Sequence, residues 1–368
     1  MKFGQPSTLP RWAQLTVLPA LNLLAALLVT GFVTWMIGED PWECLQLLVS
    51  GAFGSGEGIG YTLFYTTGFI FTGLAVATAF HAGLFNIGGE GQAYLAGLGV
   101  TLVVLAFDHT LPPIVLVPLC ILAAMGFGAA WAFIPGWLQA RRGSHIVVTT
   151  IMFNFIAYSL MLYLIGHHLI EAGSQNPTTR EFGQASWIPA IHQVAAGMGI
   201  SLPSTPLNLT FVMALLACGL FYLLVWHSRW GFQLRTVGVN ESAARYAGIN
   251  VSKTIILAMC VSGALSGFAA INELLGSTHR MNVSFTNGVG FVGIAVALMG
   301  RNHPVGIILS ALLFGGLTQG GLELSFEKPV ITREMIIFIQ GLIILFCGAL
   351  ENLFEPFIAG LFKRKEDK

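Results

Sequence analysis

GLFNIGGEGQAYLAG, residues 83–97, sets an asparagine, a glutamate and a run of glycines between two strongly apolar stretches. A transmembrane helix does not readily carry Asn and Glu in its middle, and an ordinary loop has no need of so much glycine. The segment therefore marks a corner. A span takes about 20 apolar residues, so the chain from Gly60 to Asp108 holds two spans joined by a connection of about eight. The corner is expected at the cytoplasmic edge, turning there or dipping slightly into the membrane. Gly83 would close the preceding helix in a left-handed cap, and Asn86 would cap the next one. Gly88 and Gly89 would let two backbones approach. Glu90 would sit in the first turn of that next helix, where the positive dipole end favours a carboxylate. Two roles stay open for Asn86 and Glu90: satisfying helix ends in a buried corner, or lining a pathway or moving joint at membrane depth.

Of 368 residues, 55% are hydrophobic and 9% charged, against about 25% charged in a soluble domain. With a mean hydropathy of +0.76, the chain reads as an all-α polytopic membrane helix bundle of about ten transmembrane helices. The candidate spans are 14–37, 60–81, 90–107, 113–134, 146–166, 209–226, 254–275, 287–300, 304–322 and 334–360. The eighth, around GFVGIAVALMG at 290–300, is short and glycine-broken; it begins further back or is a discontinuous helix lining a cavity. The first run is too long for a signal peptide and reads as a retained anchor.

Ten spans put both termini in the cytoplasm. Only Arg180, Arg280, Lys328 and Arg333 of the 17 basic residues then lie outside, as the positive-inside rule requires. Fusing 287–322 into one helix would bury Arg301 and expel the basic run 363–368, so the eighth span is kept. The longest polar stretch, 167–208, falls on the outer side, and GSGEGIG at 54–60 reads as a flexible outer turn. No linker divides the chain, so residues 1–368 read as a single transmembrane domain. Ten spans leave room for two diverged inverted halves.

Equal numbers of basic and acidic residues, 17 and 17, exclude nucleic acid as a partner. Cys44, Cys120, Cys218, Cys260 and Cys347 show no paired spacing, which argues against disulfides and a cysteine zinc site. His167 and His168 are the one adjacent histidine pair, placed in a loop, and no metal is expected. The chain lacks a phosphate-binding P-loop and the common hydrolase motifs. It is therefore read as a non-enzyme that binds no cofactor. An ion-coupled secondary transporter would need more intramembrane acids than Glu90, Glu273 and Glu351, which lie near helix ends.

The largest inside loop is 227–253, and within it NESAARYAGI, residues 240–249, has the grammar of a short helix. Asn240 suits the N-cap, Glu241 the first turn, Arg245 the last, and Gly248 the position just past the end. Such a helix is too short to be stable alone. Ala243 and Ala247 leave one side bare, while Tyr246 and Ile249 offer apolar contact. The helix either inserts in a groove on another protein or lies on its own bundle. Asn154, in the fifth span, is either a pathway residue or an interhelical hydrogen bonder.

These stretches, with IVVTTIMFNFIA at 146–157 and ALMGRNHPVGIILSALLFGGL at 297–317, closely resemble permease subunits of bacterial ABC importers. The group serves branched-chain amino acids, simple sugars and nucleosides. GLFNIGGEGQ and GVNESAARYAGINVSKTIILAMCVSGALSG (238–267) look most like the nucleoside branch; ribose-type members carry a different, acidic sequence at NIGGEGQ. The similarity runs from about 60 to 355. It implies a multi-pass protein of the bacterial inner membrane, paired with a second homologous permease as homo- or heterodimer. It further implies an ABC ATP-binding subunit carrying ATP and Mg, an extracytoplasmic substrate-binding protein, a small-molecule substrate and surrounding membrane lipid. The family's coupling helix maps onto 238–249, with Asn240, Glu241, Ala243, Ala244, Tyr246, Ala247, Gly248 and Ile249. Pathway candidates are Asn86, Gly88, Gly89, Glu90, Gln92 and Asn154.

Overall fold

Within a bilayer each backbone N–H and C=O must be satisfied inside its own segment, so long apolar stretches fold as helices. The computed structural model describes residues 17–346. Cys347, Glu351, the basic run 363–368, the start of the first candidate span and the end of the last lie outside them. The helices are α1 Leu18–Met36, α2 Pro41–Phe53, α3 Gly56–His81, α4 Gly89–Phe107, α5 Pro113–Arg142, α6 Ile146–Leu164, α7 Ile191–Gly197 and α8 Thr210–His227. They continue with α9 Arg229–Val239, α10 Glu241–Tyr246, α11 Val251–Glu273, α12 Val289–Met299, α13 Pro304–Glu327 and α14 Arg333–Ile344.

The protein is an all-α polytopic membrane bundle. Seven described helices are long and apolar enough to cross a membrane: α3, α4, α5, α6, α8, α11 and α13. Three of the ten expected spans are not among the seven. Two of them, α1 and α14, lie next to the undescribed ends and show shorter apolar stretches, Leu24–Met36 and Glu334–Ile343. The eighth, α12, has 11 residues, about 16 Å at 1.5 Å per residue, half of a ~30 Å hydrocarbon core. It is discontinuous. Two smaller expectations are corrected. Residues 56–60 form the first turn of α3, with the Ser55 hydroxyl accepting from Gly58 N–H, because a serine ahead of the glycines makes an N-cap. His167 and His168 sit on a π-helical turn, Ile165–Leu169, that prolongs α6.

Backbone contacts group the chain into two units, Phe53–Gly316 and the paired segments Met1–Ala52 with Leu317–Lys368. In the described part of the second, Cys44, Leu324, Ile331 and Ile336 bury a small core. Lys328 donates to Glu43 at 2.9 Å and reaches Glu39 at 3.1 Å. The two carboxylates hold its ammonium above the usual lysine range.

In the first unit α3, α4 and α11 form the centre. The apolar window of α3 is 83% buried, against 22% for α5, so α5 belongs to the rim. α5 and α11 pack backbone to backbone, Gly128 on Gly263 and Ala124 on Gly267, the small-residue contact typical of membrane helices. At one end of the bundle the segment 175–209 is tied down by backbone bonds from Thr179 to Met281, Phe182 to His279 and Ile188 to Leu275.

The same end carries a clamp. Arg180 donates to both carboxylate oxygens of Asp108, at 2.7 and 2.9 Å, and Gly183 N–H donates at 2.8 Å. Asp108 is almost fully buried and Arg180 is 35% exposed. Hydrogen bonding from Arg180 holds the Asp108 carboxyl below the usual carboxylate range. Removing one partner of a buried pair costs 3–5 kcal/mol; with a partly solvated guanidinium, Asp108→Asn should cost about 2 kcal/mol. The clamp's contribution is complete above the ordinary carboxylate pKa and disappears as pH falls through the depressed one. Limited proteolysis at pH 7 should cut within 175–209 faster in Asp108→Asn, whereas the native chain should stay protected down to about pH 4, the ordinary carboxylate value. Equal cutting of the two at pH 7 would show that the clamp does not hold this segment.

Candidate functional site

α3 ends at His81 in a Schellman turn: Leu84 N–H bonds Ala79 O and Gly83 N–H bonds Phe80 O, with Gly83 at φ +75°. The chain then goes back into the bundle in extended form, residues 84–87, before α4 starts. Val289, the first residue of α12, packs on Gly68. Gly68 lies roughly 13 residues before His81, or about 20 Å along α3. α4 starts at that level, because the backbones of Gly290 and Glu90 touch. The corner is thus deeper than a turn at the membrane edge: the chain from Gly83 to Glu90, extended over residues 84–87, is long enough to climb about 20 Å.

A matching segment arrives from the opposite end. After α11 and its π-helical extension Leu274–Thr278, residues 279–288 descend beside α4, with Met281 against Thr101 and Phe285 against Gly97 and Tyr94. α12 then runs on to the end where His81 Nε2 meets Asn302 O at 3.2 Å. The α3–α4 and α11–α12 connections therefore enter the bundle from opposite ends and meet. Phe85-Asn86-Ile87-Gly88 and Phe285-Thr286-Asn287-Gly288 lead into α4 and α12, and each helix has its glycine at the N-cap.

Two helix N-termini facing one another bring two positive dipole ends together. Glu90 offsets them. One carboxyl oxygen accepts from the Thr286 hydroxyl and from Gly288 N–H at 3.0 Å, the other from Gly290 N–H at 2.8 Å. Glu90 belongs to the first turn of α4, as expected, while its side chain caps α12.

The other candidates gather around this junction. Asn86 Nδ2 donates to Ser262 Oγ at 2.8 Å and to Gln92 Oε1 at 3.1 Å, and its Oδ1 accepts from Gly88 N–H at 2.8 Å. Gly88, not Asn86, is the N-cap residue of α4, so Asn86 acts one step earlier than a cap. Ser262 Oγ in turn donates to Ala75 O of α3 at 2.7 Å. Asn154 accepts from Gly91 N–H and donates to Ile87 O, both at 2.9 Å. Asn86, Glu90, Gln92 and Asn154 are 0 to 8% exposed. Their polar atoms bond within the chain, and Gly89 lies among them beside Ser266 and Gly290. Sequence reasoning did not single out Thr150, Ser262, Ser266, Thr286 or Gly290. The four-residue spacing of Ser262 and Ser266, and the repeated Phe-x-x-Gly, were the signals that could have found them.

At the end that holds His81, α10 runs Glu241–Tyr246 with the Asn240 side chain accepting from Ala243 N–H at 3.0 Å. Gly248 N–H bonds Arg245 O and Ile249 N–H bonds Ala244 O, a Schellman end with Gly248 at φ +77°. Glu241 and Arg245 form an exposed pair at 3.6 Å. Ala244 is buried in its own chain, whereas Ala243 and Ala247 are exposed and Tyr246 is 95% exposed. One side of α10 rests on the bundle and the other faces away. The preceding α9 reaches the corner directly, since the Gly238 backbone touches that of His81 and Gly83. Among the described residues no group of three or more His, Cys, Asp or Glu could hold a metal ion.

Comparison with known proteins adds a family and relatives. Residues 58–347 match the family model described as branched-chain amino acid transport system / permease component. The chain is similar to a guanosine ABC transporter permease protein of Bacillus subtilis, 36% identical over 352 residues covering 95% of this chain and 97% of the relative. It is also similar to a glucose ABC transporter permease protein of Haloferax volcanii, 34% identical over 92% of this chain and 88% of the relative. A nucleoside ABC transporter permease protein of Lactococcus lactis is 33% identical over 88% and 90%.

Proposed function

Because the chain belongs to the family of branched-chain amino acid transport system permease components, we propose that it is the permease subunit of an ATP-driven importer for nucleosides. It is a multi-pass protein of the kind found in the bacterial inner membrane, a membrane permease component of an ABC-type system, and not an enzyme. In the proposed topology both termini and the end holding His81, Arg142 and α10 are cytoplasmic, supported by the basic residues gathered there. The 175–209 segment is then extracytoplasmic and open to a substrate-binding protein. A second homologous permease completes the membrane part.

The observation that carries the mechanism is the contact of Gly238 with Gly83. ATP binding and hydrolysis on the partner move the 238–249 segment. The motion reaches the corner at Gly83, and from there the junction at Glu90. A junction made of two opposed helix N-termini can tilt either way, which gives alternating access. On this reading Asn86, Gly88, Gly89, Glu90, Gln92 and Asn154 form the joint of the pathway.

The guanosine and nucleoside relatives support the substrate class. The glucose relative, at 34% identity, supports a simple-sugar permease as the second reading. Proteoliposomes holding the permease pair with its ATPase and binding protein should accumulate radiolabelled guanosine only with ATP, and a hundredfold excess of glucose should not compete. Glucose uptake would move the chain to the sugar reading. Accumulation driven by an ion gradient without ATP would overturn the importer reading itself.

A further inference from the structure

Glu273 is an acid that the junction does not use. It closes α11, inside the apolar stretch Val251–Thr278 that is long enough to cross a membrane. Among the described residues no hydrogen bond or ion pair is made to its carboxyl, and the side chain is partly accessible. The Thr278 hydroxyl bonds its backbone carbonyl instead, at 3.1 Å. Glu90, by contrast, has both carboxyl oxygens bonded.

Helix geometry fixes the side on which Glu273 stands. It lies three turns beyond Ser262 and two beyond Ser266, within about 20° of each around the axis. Those serines are buried and face the interior: Ser262 bonds Ala75 O of α3, and Ser266 Oγ lies 3.5 Å from Gln92 Oε1 of α4. The accessible stripe of α11, Leu257, Val261, Ala264 and Phe268, is roughly 150° away. The opening at Glu273 therefore belongs to the side turned to α3 and α4. Ser266 is beside Gly89 at the junction, and seven residues carry Glu273 about 10 Å further toward the Asp108 end. Two residues on, Leu275 O accepts from Ile188 N–H of the 175–209 segment.

An acid at membrane depth is costly unless it is paired or faces a water-filled path. We propose, on the basis of the permease reading, that Glu273 binds the solute in the outer half of the path, accepting hydrogen bonds from two neighbouring hydroxyls. An ionised carboxylate offers two acceptor oxygens and no donor, and bonds to it are about twice as strong as neutral ones. The ribose of a nucleoside and a simple sugar both carry such a hydroxyl pair; an aliphatic amino acid does not.

Glu273→Gln exchanges one oxygen for NH₂ at constant shape. Because nothing in the chain bonds the carboxyl, the variant should insert normally and unfold in detergent at or above the native midpoint; a lower midpoint would make Glu273 a structural residue and overturn the proposal. In proteoliposomes with the ATPase and binding protein, guanosine uptake should fall at least tenfold. The ratio of guanosine to 2′,3′-dideoxyguanosine uptake should fall at least fivefold from native to variant, and the preference of the shared binding protein cancels in that comparison. An unchanged ratio would overturn the hydroxyl contact. Glu273→Cys adds a readout of place: an impermeant methanethiosulfonate should modify it in right-side-out vesicles at least tenfold faster than Ala270→Cys, a position 1% exposed, with the native chain as background. Slowing by the guanosine-loaded binding protein, relative to the empty one, supports a nucleoside at the site, and slowing by glucose a sugar; slowing by neither overturns the solute contact. A native complex that accumulates neither solute with ATP would fail the permease reading itself, a result distinct from an unchanged ratio.

Discussion

Gly290→Ala should separate the N-termini of α4 and α12 and abolish transport. A Cβ at Gly290 would overlap the backbone of Gly89 and Glu90, and backbone cannot yield as a flexible side chain does. The expected cost is about 3 kcal/mol, the upper end of the range for overpacking, with α12 losing the Glu90 cap as it is pushed away. Gly88→Ala should be milder, because its nearest neighbours are side-chain atoms of Asn86, Gln92 and Thr150 at 3.0–3.1 Å. Gly126→Ala, with nothing within 4 Å, is the control for adding a methyl group to a membrane helix. Glu90→Gln keeps the shape but sets an NH₂ against one of the donors now accepted by the carboxyl, and a buried donor left unsatisfied costs ~2 kcal/mol. Thermal unfolding of the detergent-purified complex ranks all four: Gly290→Ala lowest, then Glu90→Gln, then Gly88→Ala, with Gly126→Ala near the native value. A native midpoint for Gly290→Ala would mean that the two N-termini do not meet.

Much of this junction is legible in the sequence. The Gly83 helix end, Glu90 in a first turn and the shortness of the eighth span come from local rules, because caps and apolar length act over a few residues. The depth of the corner does not. It depends on α12 meeting α4 across some 200 residues of chain, and no local pattern reports that pairing. The span count shows the same limit. Hydropathy sees apolar length and cannot separate a full span from a half-helix preceded by an extended segment. Ser262 and Asn272 look like ordinary polar residues in apolar helices, and Thr286 like an ordinary residue of a connection, until their partners are known. Asn272, for example, accepts from the Thr210 hydroxyl at 2.6 Å and donates to Phe64 O at 3.3 Å.

The 240–249 helix is the most legible element, since both of its ends are built from neighbouring residues. The structure adds which side is open. Ala243→Trp places a large ring on an exposed face, so the permease itself should fold and insert normally. Ala244→Trp would strike its own bundle and is a poor probe for that reason. If the open face enters a groove on the ATPase, the indole at 243 blocks close approach, and transport should fall at least a hundredfold. Asn240→Ala should act more weakly, through loss of a cap worth about 1 kcal/mol. Glu241→Ala should do little, because its pair with Arg245 is exposed.

Coupling of ATP hydrolysis to this permease through the 238–249 segment is tested most directly by one measurement. The complex is purified with the native chain or with Ala243→Trp, and ATPase activity is compared with and without the loaded binding protein. The native complex should be stimulated by the loaded protein. In Ala243→Trp the stimulation should vanish, or the ATPase should be lost on purification, while the permease remains in the membrane at native abundance. Native stimulation in Ala243→Trp would contradict the account, because the open face of the helix would then not be where the ATPase engages.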